Sequence, residues 1–255
     1  MARYKLILAY DGSAFAGSQR QASTARSRTG RRRTVQGDLE DALHSLGWQG
    51  RSVIMAGRTD SGANASGQVA AVDLDWPHKV ASLRDALNAR LPFEMVVREA
   101  ELAEPKFHPR FDAKSRSYRY LLFCANLRDP LRERTAWRVR PELDAGLLAQ
   151  TAPVFIGRRD FGAFGSAPAG IGNTVRTVLR AGWTEVQPGS LWQFDVTADA
   201  FLFRMVRRMV FVQVAVAQGR CSRDAVLKAL DRGSTGKLPA GLAPAHGLEL
   251  MRVDY

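Results

Sequence analysis

The sequence predicts an α+β protein built from two halves. Three observations carry that expectation. β-Branched and aromatic residues gather into short runs between turn signals, amphipathic helical stretches fall between those runs, and the same mixture recurs in the second part of the chain. At 255 residues the chain can bury a sizeable core as one large domain or two smaller ones. We place the halves at 1–105 and 106–255, with the boundary marked by Glu104-Pro105 and Pro109.

Residues 3–10 read as a strand, 51–57 as a second and 66–74 as a third. Between the first two, Val35, Leu39, Ala42, Leu43 and Leu46 share a helical face, with Thr34 as N-cap and Gly47 as stop. Val80, Leu83, Leu87 and Leu91 describe a second amphipathic helix. Downstream, strands are expected at about 115–124, 175–187, 191–198 and 248–254, and helices at about 142–152, 201–218 and 222–232.

Charge narrows the partner class. The 37 basic against 25 acidic residues give a net charge of +12, and 31 of the basic residues are arginines. Arginine's planar fork suits phosphate and stacks on bases, so the balance favours a polyanion such as RNA. Gln21 to Arg33, rich in arginine among Ser, Thr, Ala and Gly, reads either as a phosphate-gripping arm or as a solvated insertion. Cys124 and Cys221 lie far apart, and the four histidines lack ligand spacing, so neither a disulfide nor a metal site is expected. The N-terminal apolar run is too short for a signal peptide and arginines interrupt the others, which points to a soluble, cytoplasmic protein.

The run Ala56-Gly-Arg-Thr-Asp-Ser-Gly-Ala-Asn-Ala-Ser-Gly-Gln-Val69 sets one carboxylate, Asp60, on a glycine-flanked loop beside Arg58. A lone acid pushed out of the fold in this way is a candidate nucleophile. Arg204, Arg207 and Arg208 form a basic stripe at i, i+3 and i+4 on an apolar helix, so at least one needs a partner. Tyr118 shares a strand face with Tyr120 and Leu122, a pattern that by itself reads as core.

Several separated motifs, in order, resemble the TruA family of tRNA pseudouridine synthases. They are Tyr10-Asp-Gly-Ser-Ala-Phe-Ala-Gly-Ser-Gln-Arg-Gln21, the Gly57–Val69 loop, Phe107-His-Pro-Arg-Phe-Asp-Ala-Lys-Ser-Arg-Ser-Tyr-Arg-Tyr120, Asp160-Phe-Gly-Ala-Phe164, Phe201-Leu-Phe-Arg-Met-Val-Arg-Arg-Met-Val210 and Leu242-Ala-Pro-Ala-His-Gly-Leu-Glu-Leu250. The resemblance implies a cofactor-free isomerase that turns uridine into pseudouridine in the tRNA anticodon stem-loop, at positions 38, 39 or 40. It further implies a homodimer and a mixed, mostly antiparallel sheet flanked by helices, with a central basic cleft.

Carried over by motif, Asp60 is the nucleophile and Arg58 fills the space left by the flipped base. Tyr118 stacks on that base or takes its C5 proton, and Arg207 pairs with the aspartate. Leu242 packs on the uracil from the apolar Leu242–Leu250 wall. Gln68, Arg110 and Arg116 are expected either as tRNA contacts or as structural residues. The chain departs from the family pattern at Ser18, where tryptophan is usual, at Asn64 and Arg159, where histidine is usual, and at Phe211, where glycine is common. Two other readings stay open. One is a catalytically silent RNA-binding protein. The other is an aspartic protease suggested by Asp60-Ser61-Gly62, which would need a second carboxylate from a partner copy.

Overall fold

The computed structural model describes residues 1–20, 33–167, 172–231 and 237–255. Of the arginine-rich arm only Arg33 falls among them. Within the described residues the chain is α+β, with ten strands, mostly antiparallel, and five α-helices. Its contacts divide into two units, Met1–Lys114 with Leu250–Tyr255, and Ser115–Glu249.

In the first unit, β1 (Ala2–Tyr10) runs antiparallel to both β3 (Asn64–Leu74) and β4 (Met95–Leu102). The alternation that predicted β1 is the alternation of its burial: Tyr4, Leu6, Leu8 and Tyr10 all face the core. Helix α1 (Val35–His44) starts where expected, with Thr34 Oγ1 accepting from Gly37 N at 3.1 Å. Gly47 ends the segment in the left-handed region at φ 90°. Helix α2 (Val80–Asn88) buries Leu83 and Leu87.

The expected strand at 51–57 shrinks to β2 (Ile54–Met55), because Val53 N leaves the ladder for Glu40 Oε1 at 3.1 Å. Nothing in the residue pattern announced that the chain's end returns to this unit. It does so because the C-terminal strand β10 (Leu248–Asp254) borders β3, and Lys114 N donates to Asp254 O at 2.8 Å.

The second unit orders β5 (Ser115–Cys124), β9 (Leu191–Ala198), β8 (Val175–Gln187) and β7 (Gly157–Asp160) as an antiparallel sheet, and β6 (Trp137–Val139) adds to β5 in parallel. Helices α3 (Ala145–Thr151) and α5 (Arg223–Ala229) are short. Helix α4 (Met205–Ala217) is buried on most of its circumference, as its Val and Met content requires. It begins four residues later than expected because Phe203 pairs with Ser166 through both backbone groups (3.0 and 3.4 Å), and Arg204 then turns left-handed at φ 64°.

The Asp160-Phe-Gly-Ala-Phe164 motif closes a turn, with Asp160 Oδ1 accepting from Gly162 N at 2.9 Å and Thr174 Oγ1 at 2.5 Å. Phe161 and Phe164 then join Phe155 in one buried aromatic cluster. Phe211, the large residue where the resemblance leads one to expect glycine, has its room supplied from outside the helix. Gly241, at φ 139°, lies against its ring so closely that a Cβ there would come within 2.1 Å of Cζ. Trp137 runs parallel to the same ring at 6.3 Å.

Gly241→Ala should therefore cost about 2–4 kcal/mol, from overpacking and from a backbone conformation that alanine resists. Adding Phe211→Gly to that variant should change its stability by less than Phe211→Gly changes the wild type. Thermal melts of the four proteins check this, and equal effects in the two backgrounds would show that the two residues do not share the space.

Candidate active site

The loop that carries Asp60 joins β2 to β3 in the first unit and is tied down on both sides of the acid. Thr59, 7% exposed, donates its N–H to Ser18 Oγ at 2.8 Å and accepts Ser18 N on its carbonyl at 3.2 Å. Its hydroxyl meets Tyr10 Oη at 2.8 Å. Burial pushes the Tyr10 phenol above its ordinary range, so it stays neutral and hydrogen-bonding. Beyond the acid, Ser61 Oγ donates to Phe15 O at 3.2 Å, Gly62 turns left-handed at φ 83°, and Ala63 N closes the turn onto Asp60 O at 3.1 Å.

Before the acid, Gly57 O accepts Gln68 Nε2 at 3.0 Å. The backbone is thus held at Gly57 and at buried Thr59, while Ser61 stays at the surface with its hydroxyl tied to Phe15 O. Arg58 is exposed, with no hydrogen-bond or ion-pair partner among the described residues, and Asp60 is half-buried. Of the three glycines expected to shape the loop, Gly62 does so by its φ and Gly67 by close approach to the Met251 carbonyl; Gly57 is not left-handed.

Two residues at departures from the family pattern hold this region. Ser18, 1% exposed, is the clamp on Thr59, and its own carbonyl accepts Gln36 N at the start of α1 (2.9 Å). Asn64 Oδ1 accepts Gly12 N at 2.8 Å. Ser18 stood out from sequence only as a departure from the family pattern and Tyr10 only as the start of a motif, and neither role could be read until its partner was known. Gln68 was expected as an RNA contact or a structural residue. It is fully buried, with its amide spent on Gly57 O and reaching Tyr10 Oη at 3.5 Å, so it supports the loop from inside. Arg110 is exposed in the 107–112 turn, its guanidinium 5.9 Å from the Phe111 ring.

The second unit places Tyr118 on β5 opposite Val196, 9% exposed and edge-on to Phe201 at 5.1 Å. Its neighbour on that face, Tyr120, is fully buried and donates to Pro244 O at 2.8 Å; burial raises its phenol well above the usual range. On α4, half-buried Arg207 donates Nε to Ala243 O at 2.7 Å, while Ala243 N returns a bond to Arg207 O at 3.3 Å. Leu242, half-buried, lies between that anchor and Gly241.

Arg208, too, has partners: its Nη1 binds Pro239 O at 2.5 Å and Gly241 O at 2.9 Å, laying the 239–243 segment along the helix. Arg204 does face solvent, stacked 4.6 Å over the exposed Phe203 ring. Arg116 donates Nη1 to Asp199 O at 2.8 Å.

Among the described residues no cluster of His, Cys, Asp and Glu could hold a metal, and no helix is long and apolar enough to cross a membrane. In chemical terms the first unit offers a positioned carboxylate beside an exposed guanidinium. The second offers a guanidinium anchored through Nε, a half-buried leucine beside it and a tyrosine of low exposure.

A family model described as tRNA pseudouridine synthase matches residues 152–255. Proteins named tRNA pseudouridine synthase A match nearly the whole chain. That of Methylacidiphilum infernorum is 40% identical over 253 residues, covering 99% of this chain and 95% of the relative. That of Geobacter sp. (strain M21) is 37% identical over 256 residues, covering 100% and 99%. That of Chloroflexus aurantiacus (strain ATCC 29366 / DSM 635 / J-10-fl) is 38% identical over 255 residues, covering 98% and 87%. Identity at this level, end to end in both partners, means that the chain belongs to the tRNA pseudouridine synthase A family.

Proposed function

We propose that this isomerase converts uridine to pseudouridine at position 38, 39 or 40 of the tRNA anticodon stem-loop, with Asp60 as its nucleophile. The observation that carries the reading is the asymmetry of the Asp60 loop. Its neighbours Thr59 and Ser61 are both tied by hydrogen bonds, Thr59 in the interior and Ser61 at the surface, while Arg58 is exposed and Asp60 between them is half-buried. Preorganisation of this kind is what a covalent step at a fixed point on a substrate requires.

The reaction breaks the C1′–N1 bond, turns the freed uracil and forms C1′–C5, with the C5 proton leaving and a proton gained at N1. Asp60 acts by engaging uracil C6, the sugar C1′ or a sugar proton while the base is detached. Arg207 partners the carboxylate and orients it, and Tyr118 stacks on the base or accepts the C5 proton. Arg58 enters the stack in place of the flipped uridine, which offsets part of an unstacking cost of a few kcal/mol. Leu242 supplies apolar contact to the uracil face. Arg110 and Arg116 lie along the RNA, and Gln68 acts through the loop. The active species is a cytoplasmic homodimer needing no cofactor or metal.

Asp60→Asn should bind tRNA within about threefold of wild type yet lose more than about 10³-fold in isomerisation. Tritium release from C5-labelled uridine measures the loss, and turnover by the variant would remove the nucleophile. Equal inactivity of wild type and variant on tRNAs carrying anticodon-arm uridines would instead favour the silent RNA binder.

Ser18→Ala leaves the buried Thr59 N–H without its acceptor, so stability should fall by about 1–3 kcal/mol and kcat by about tenfold, with KM little changed. A thermal melt and steady-state kinetics on one sample separate the two effects, and unaltered kcat would show that the clamp does not position the acid.

If Arg207 works through Asp60, Arg207→Lys should lower kcat in the wild type and add less than about twofold to Asp60→Asn. Independent effects in that cycle, read by single-turnover rates, would separate the two residues.

A further inference from the structure

The second unit contains a cavity of about 500 Å³ bordered by Arg128, Glu133, Arg134, Trp137, Arg138 and His246, and not by Tyr118, Arg207 or Leu242. Its volume falls within the range of small-ligand sites, about 300–1,000 Å³. The lining sets three guanidiniums against one carboxylate. Glu133 is gripped from both sides, with Arg128 Nε and Nη2 on Oε2 at 3.0 and 2.8 Å and Arg138 Nε 2.7 Å from Oε1. The Arg128 guanidinium first, and Arg138 after it, hold the Glu133 carboxyl below its usual range, so it stays charged and fixes both arginines in place. The wall keeps a positive excess, and Arg128 and Arg134 are both exposed to solvent.

The aromatic side of the cavity is equally fixed. Trp137 sits on β6 in register with Leu122 and is braced by the parallel Phe211 ring at 6.3 Å and by Tyr120, which meets it edge-on at 6.5 Å. Burial holds the His246 imidazole below its ordinary range, and a hydrogen bond with the Ala136 backbone fixes the neutral ring in the wall. A planar surface, fixed cations and a neutral hydrogen-bonding ring suit a nucleotide better than a simple anion, which has no use for the indole.

We propose that this cavity is a second nucleotide subsite for the substrate RNA, with Arg128 and Arg134 taking a phosphodiester and Trp137 stacking on a base other than the isomerised uridine. The inference rests on tRNA being the substrate and extends that reading to a residue set outside the proposed chemistry.

The test is the double variant Arg128→Gln/Arg134→Gln, with wild type and Arg134→Glu beside it, assayed for tRNA binding, KM and kcat across a salt series. Wild-type-like melting of Arg134→Glu, a change at an exposed residue, keeps the test decisive should the double variant fail to fold. The expected result is a KM and Kd about tenfold higher, kcat within about twofold, and a salt dependence of binding shallower by about one in log–log slope. Trp137→Phe, which keeps a ring, should raise Kd by less than the double variant does. Unchanged Kd and slope in folded arginine variants would overturn the subsite. Should wild type bind tRNA and isomerise nothing, the catalytic reading fails while the binding series still decides this one.

Discussion

The geometry of the Asp60 loop depends on one buried hydroxyl. Ser18 joins two otherwise separate pieces of backbone: its side chain takes Thr59 N–H, and its carbonyl takes Gln36 N–H from the first turn of α1. The first N–H groups of a helix have no partner within it, and here Gly17 and Ser18 carbonyls and the Thr34 hydroxyl supply them. The helix start, the 17–18 segment and the Thr59 backbone are therefore registered to each other by neutral hydrogen bonds in a dry environment. Each contributes only about 1 kcal/mol net, yet breaking one strands a buried polar group at about 1–3 kcal/mol. That difference holds the loop backbone to the helix start at the residue next to Asp60.

This explains what could and could not be seen in the residues alone. β1, α1, α2, β5 and β9 were legible because each presents a period, of two or of about 3.6, to a core, and β3 and β8 because β-branched and aromatic residues gather there between turn signals. The short strands β6 and β7 were not. Three or four residues show no period, and Arg158 and Arg159 in β7 carry the wrong chemistry for a strand called from composition. β4 was missed for a related reason: three of the four residues in its Arg98-Glu99-Ala100-Glu101 stretch are charged.

Legibility of the candidate site follows a different rule. Asp60, Tyr118 and Arg207 stood out because they sit in motifs with residue types that chemistry demands. The roles of Ser18, Tyr10 and Thr59 were not legible, although Ser18 was noted as a departure and the other two lie in motifs, because each role is a distance of about 2.8 Å to a partner far along the chain, which no local pattern encodes. Gln68 was ambiguous for the converse reason. An amide in a glycine-rich loop is equally suited to RNA and to a backbone carbonyl, and only its complete burial decides. Departures from a family pattern deserve the same treatment: Phe211 is accommodated by the missing side chain at Gly241, so the departure is met by one packing solution.

The arginine excess needs a similar refinement. Many guanidiniums are used inside the units on backbone carbonyls: Arg3 on Phe107, Arg116 on Asp199, Arg138 on Asn126, Arg207 on Ala243 and Arg208 on Pro239 and Gly241. Net charge alone would assign them all to a polyanion. A bond to a carbonyl, unlike one to a carboxylate, fixes the position of the cation without cancelling its charge. Arg3 and Arg138 also pair with Asp73 and Glu133, whereas Arg208 holds the 239–243 segment in place and remains a source of positive potential at a fixed point. Arg208 reaches its two carbonyls through one nitrogen, Nη1, which an ammonium could imitate. The planar fork is used where two nitrogens share one partner, as Arg3 does on Asp73 and Arg128 on Glu133, and those sites give a structural reason for a basic chain to draw so heavily on arginine.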